Sequence, residues 1–165
     1  MPILSTFTLN ISYSQLAVAD SACEPPLNDW QDRHVAQGFA WRPGCVAFGT
    51  LESGGPMRIE VVRADSLDVD EAAERAIVVP FEVGAAGTAQ VLDVFAYGPE
   101  VPRVVVGAGR HALLFETGHD HTHPEPDTMW ARLTFIPCER AEPRILRADA
   151  QLSPGETLFL DARAV

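Results

Sequence analysis

Phe7, Leu9, Ile11 and Tyr13 alternate with Thr8, Asn10, Ser12 and Ser14, a two-residue period that puts one set on each side of an extended chain. The spacing predicts a half-buried strand over 7–18. Near Gln15 the parity changes, because Leu16 and Val18 take the positions of the polar set, so a bulge or a crossing between sheets is expected there. Further runs rich in Val, Ile, Phe, Leu and Thr, bounded by Gly, Pro or acidic turns, predict strands at 45–51, 57–64, 75–83, 88–97, 101–107, 111–116, 130–136, 144–148 and 157–161. No helical pattern of ordinary length separates them, which predicts an all-β antiparallel β-sandwich, with a barrel as the alternative. One short helix is expected near residues 29–37. Asp29 is its expected N-cap, Asp32 occupies the third helical position, and Gly38 supplies a left-handed end. A second turn is expected from Asp70, and Gly107-Ala108-Gly109-Arg110 reads as a hairpin turn with Gly109 left-handed.

Composition narrows the class. At 165 residues with 47% hydrophobic side chains, residues 1–165 are expected to form a single domain. Asp and Glu number 23 against 12 Lys and Arg, giving a formal net charge of −11. Such a surface repels phosphate backbones and anionic lipid, so direct nucleic-acid binding is not expected, and it attracts a basic protein partner. Cys23, Cys45 and Cys138 are odd in number and lack any CxxC pair, which fits reduced thiols and a cytoplasmic protein. No window approaches the roughly 20 apolar residues of a membrane span.

Candidate chemistry is confined to Gly118-His119-Asp120-His121-Thr122-His123-Pro124-Glu125. Alternation places His119, His121 and His123 on one side of an extended segment, where imidazoles with Glu125 could bind zinc, nickel or iron. The spacing of His119, His121 and Glu125 is similar to the core of the first cupin motif, although Leu113 and Arg132 stand where that motif carries glycines. A metal-binding or metal-dependent cupin-like enzyme is therefore the alternative reading, beside a plain polar loop between strands. No Ser lies in a nucleophile elbow, and with no Lys in the chain the Gly107–Arg110 turn is no P-loop.

Ile11-Ser12-Tyr13-Ser14-Gln15, Pro25-Pro26-Leu27-Asn28-Asp29-Trp30-Gln31-Asp32, Gly38-Phe39-Ala40 and Val46-Ala47-Phe48-Gly49 together resemble the competence protein J family. Val79-Pro80-Phe81 is similar to a later family segment, and Leu158-Phe159-Leu160-Asp161-Ala162 resembles its end more loosely. The resemblance implies a non-enzymatic inhibitor that binds a DNA-entry type nuclease and occludes it, without a cofactor. Trp30 and Trp41, flanked by Asp29 and Asp32, are then the candidate anchors for that basic partner. The competing reading is that Trp30 or Trp41 closes the end of the sandwich.

Overall fold

The computed structural model describes residues 2–95 and 101–165. The alternating stretch at the start forms two strands in different sheets. β1 (Ile3–Ile11) ends at a tight turn in which both Tyr13 and Ser14 adopt left-handed backbone, φ 54° and 56°, and β2 (Gln15–Asp20) leaves in the other sheet. The parity change at Gln15 thus marks a crossing between sheets, so 7–18 is not one strand.

Next come β3 (Asn28–Asp29), α1 (Asp32–Gln37), β4 (Phe39–Arg42), β5 (Cys45–Gly49), β6 (Gly55–Arg63), β7 (Arg75–Val83) and β8 (Thr88–Leu92). The remaining strands are β9 (Arg103–Val105), β10 (Gly109–His119), β11 (Met129–Pro137), β12 (Arg144–Arg147) and β13 (Arg163–Ala164). One sheet has the order β1-β6-β11-β10-β7-β12, the other β4-β5-β2-β8-β9, and β13 pairs with β3 as a short ribbon. All pairings are antiparallel except β6 with β11.

The sheets face each other across one apolar layer. Leu16, Val18, Phe39, Val46 and Phe48 come from the five-stranded sheet, and Ile59, Val61, Ile77, Val79, Leu113, Phe115, Leu133 and Phe135 from the six-stranded one. Phe48 and Phe115 stack across the gap with centroids 4.4 Å apart and planes 9° from parallel, a contact worth about 0.5–1.5 kcal/mol beyond its buried area. The opposite face of the six-stranded sheet buries Ala76, Val78, Ala112, Leu114 and Ile136 beneath Cys138, Ala141 and Leu146.

Several expectations are revised. The helix is shorter than 29–37, because Asp29 is held in β3 by Arg163 of β13 and Gln31 takes the N-cap position. Asp32 is accordingly the first helical residue. Gly38 does end the helix in left-handed conformation, φ 86°. No helix starts at Asp70, where the chain makes a single turn closed by the Ala73 N–H on Asp70 O. Gly107 to Gly109 joins β9 and β10, which lie in different sheets, so it is a crossing rather than a hairpin. Residues 93–95 fall outside β8, and 96–97 of the expected strand 88–97 lie outside the described residues. Residues 157–161 form no strand; the Phe159 backbone is engaged by the helix instead, its N–H donating to Gln37 Oε1 and its carbonyl accepting from Gln37 Nε2.

Candidate partner-binding surface

Trp30 sits between β3 and α1, and both neighbours are fixed from below. Asn28, 4% exposed, donates from Nδ2 to Ala40 O at 2.8 Å and Cys45 O at 3.1 Å and accepts from Arg42 Nε at 2.6 Å. Its three bonds satisfy a buried amide and lock the start of the segment. On the helix side, the Gln31 N–H donates to His34 Nδ1 at 3.0 Å. That nitrogen therefore carries no proton, and Nε2–H donates to Asp161 Oδ1 at 2.8 Å. Arg33 reaches the other oxygen of Asp161 at 3.0 Å. The bonds to His34 and Arg33 hold the Asp161 carboxyl below its ordinary range. Gln37, also buried, clasps the Phe159 backbone with bonds of 2.8 and 2.9 Å.

Held in this way, Trp30 is half-buried against Ala17, Ala19, Cys45 and Ala47, with Nε1 donating to Gln15 Oε1 at 2.9 Å. It forms one wall of a groove of about 350 Å³ whose other walls include Tyr13, Val35, Gly38, Thr50 and Leu152. Beside this groove the protein exposes large apolar side chains. Tyr13 is 71% exposed and Phe95 70%, their rings in an edge contact at 5.5 Å, and Val35 is also exposed. Tyr13 is displayed from left-handed backbone, unusual for a residue with a side chain and concentrated at functional positions. Asp29 and Asp32 are exposed nearby in the chain. The sequence cue for Tyr13 was the parity change beside it; nothing singled out Phe95 or Val35.

Trp41 lies elsewhere. Its ring packs against the main core, its Nε1 donates to Pro80 O at 2.7 Å, and it lines a second groove of about 560 Å³ with Pro43, Phe81 and His111. The two Trp side chains expected as joint anchors thus belong to separate grooves, and the Trp41 indole bridges from β4 to β7.

The histidine segment is divided as well. β10 runs on to His119, whose two ring nitrogens are taken by two carboxylates: Nδ1 to Glu74 Oε2 at 3.0 Å and Nε2 to Glu52 Oε1 at 2.9 Å. The bond from Glu52, against some desolvation, and the bond and charge of Glu74 raise the imidazole's pKa. His121 is exposed with its ring 6.2 Å from that of His119. His123 instead turns Nδ1 toward the Glu125 N–H and the Thr128 hydroxyl. Alternation fails here because the chain leaves the strand at Asp120. Among the described residues no group of three or more His, Cys, Asp or Glu is placed to hold a metal ion.

The acidic side chains are partly neutralised in rows across the sheet. Glu116, Arg132 and Glu60 stand abreast on β10, β11 and β6, with Arg132 bonded to Glu60 at 2.9 Å and Asp70 at 3.1 Å. Burial pushes the Glu116 carboxyl up despite its bond from the Asp70 N–H. Burial likewise raises the Cys45 thiol to about 12, so it is a packed hydrophobe with no nucleophilic role.

A β-sandwich carrying an exposed aromatic patch on an acidic body, and no assembled metal centre among the described residues, has the features of a protein-binding module. The chain belongs to the competence protein J (ComJ) family, whose profile matches residues 8–136. It is 29% identical over 75 residues to the DNA-entry nuclease inhibitor of Bacillus subtilis (strain 168), covering 46% of this chain and 55% of that protein. The chain thus spans about half the length of this curated relative. The crystal structure of ComJ from Bacillus subtilis, described as an inhibitor of the DNA degrading activity of NucA, superposes with a TM-score of 0.61 at 20% identity, over 82% of this chain and 98% of that one. The crocagin biosynthetic gene J protein shares the fold with a TM-score of 0.52 at 16% identity, over 80% and 95%.

Proposed function

We propose that this protein is a non-enzymatic inhibitor of a DNA-degrading nuclease, acting in the compartment that keeps its three thiols reduced, and that it binds through the face around Trp30. The observation that carries the reading is the exposed Tyr13 and Phe95 pair beside the Trp30 groove, in a member of a family whose relatives bear the name of nuclease inhibitors. An aromatic cluster over a groove is the composition that anchors protein interfaces, and Asp29 and Asp32, exposed beside Trp30 in the chain, add charge that attracts a basic partner. Trp41 lines the neighbouring groove, with its indole bonded to Pro80 O, and this reading centres the contact on Trp30. The metal reading of His119, His121, His123 and Glu125 has no geometric support.

Titration of the purified protein against the DNA-degrading nuclease of its own genome tests this. Stoichiometric inhibition is expected, with Tyr13→Ala and Trp30→Ala each weakening it by about 30-fold, as an interface hot spot does. Absence of inhibition at a several-fold molar excess would overturn the reading.

A further inference from the structure

β1 is the outermost strand of the six-stranded sheet. β6 covers one of its edges, and among the described residues no strand pairs with the other. It is nine residues long and contains neither a charged side chain nor a proline. In a chain with 23 acidic and 12 basic side chains, residues 1–19 carry none of them. Natural sheets guard such edges with charges, prolines, bulges or shortness, because a free edge invites another strand. The remaining edges here are guarded. β12 has four residues bounded by Arg144 and Arg147, β9 has three and begins at Arg103, and Trp41 O on β4 receives the Ala162 N–H.

This unpaired edge also complements itself over its central residues. A register irregularity between Ile3 and Ser5 leaves Ser5–Ile11 evenly paired with β6. A two-fold axis through Thr8 of that regular stretch sets Thr8 against Thr8 of the second copy, Thr6 against Asn10 and Phe7 against Leu9. Within these pairs Thr6, Thr8 and Asn10 are exposed, and Phe7 and Leu9 half-buried. In these central pairs polar meets polar and apolar meets apolar, with no like charges opposed, while the end pair sets Ser5 against Ile11.

We propose that a second copy of this chain docks on β1, antiparallel and centred on Thr8, joining the two six-stranded sheets into one. The contact is centred on β1, outside the Trp30 groove. Its salt dependence runs opposite to that expected of nuclease binding: two bodies of net charge −11 repel, so added salt strengthens the self-association while weakening attraction to a basic partner.

Sedimentation analysis over a concentration series tests the proposal without reference to nuclease activity. The expected result is a species of twice the 17.9 kDa chain mass, favoured by salt. Thr8→Lys should sediment as a single chain with an unchanged circular dichroism spectrum, since residue 8 is exposed and the substitution opposes two cations only in the pair. Thr8→Cys should form a symmetric disulfide-linked dimer under mild oxidation where the wild type forms none. A wild-type protein that stays at the single-chain mass at its highest soluble concentration overturns the proposal, even if Thr8→Lys then impairs nuclease binding. So does a Thr8→Lys variant that remains dimeric.

Discussion

Arg75 and Asp149 face each other through two parallel hydrogen bonds, Nε to Oδ1 at 2.7 Å and Nη2 to Oδ2 at 3.0 Å, with the Arg75 side chain only 2% exposed. The remaining donors reach Gly49 O at 2.6 Å and Gln151 Oε1 at 3.0 Å, so one guanidinium ties β5, β7 and the segment after β12 together. Asp149→Ala strands a buried cation and is expected to cost about 3–5 kcal/mol in urea unfolding, whereas replacing both members by apolar residues of similar volume should cost far less. A loss within error of zero for Asp149→Ala would show that the pair is not the clamp its geometry describes.

The same pair sets an acid limit. Burial works against the Asp149 charge, but the hydrogen bonds and charge of Arg75 outweigh it and hold the carboxyl below its usual 3.8. A depressed folded-state pKa stabilises fully above the unfolded value, and that stabilisation is lost as pH falls through the folded one. Between pH 5 and 2 the urea midpoint should therefore drop more steeply for the wild type than for Asp149→Asn.

His119 works in the opposite direction. Its pKa is raised above 6.5 chiefly by Glu52 and then Glu74, so its contribution is complete below the unfolded value and disappears as pH rises through the folded one. Melting temperature should fall through the neutral to mildly alkaline range in the wild type, and His119→Gln should remove that slope. A slope that survives the substitution would assign it to another group.

Gly118 lies in β10 directly across from Trp130, and a Cβ there would sit 2.7 Å from Trp130 Nε1 and 3.2 Å from Ala72 O. Because the backbone oxygen blocks one side, the indole must move, and Gly118→Ala is expected to destabilise by about 1–3 kcal/mol through overpacking. Thermal unfolding measures this. A neutral result would mean that the indole has room to swing.

If an acidic body steers the inhibitor onto a basic nuclease, the association rate should fall as ionic strength shortens the Debye length to about 8 Å and below. Dissociation, governed by Tyr13, Phe95 and Trp30, should change little. Stopped-flow association across a salt series separates the two, and a salt-independent on-rate would remove charge from the mechanism.

Much of this architecture was legible from hydrophobic period. β5, β6, β7, β10, β11 and β12 lie close to their expected ranges, because long alternating or apolar runs bounded by Gly or Pro have few other ways to bury themselves. The turn at Tyr13 and Ser14 was hidden, since neither residue type announces left-handed backbone, and only the parity change betrayed it. Asp29 had the chemistry of an N-cap, yet tertiary pairing with Arg163 drew it into β3, and the less usual Gln31 took the position. Short strands such as β3 and β13 carry no periodicity to read. The binding face was half legible: Trp30, Asp29 and Asp32 were local in sequence, whereas Phe95 joins Tyr13 only through the fold.

One topological fact governs how the molecule comes into being. β6 and β7 follow one another along the chain, yet in the sheet they are held apart by the β10–β11 hairpin inserted between them. Arg132 of that hairpin meets Glu60 of β6 across 72 residues of sequence. A chain leaving the ribosome therefore cannot lay this sheet down outward from its first strand. It must keep a gap open until residues 109–137 arrive, and they enter as a keystone that turns two flanking fragments into one surface. The family match ends at residue 136, one residue short of the end of that hairpin.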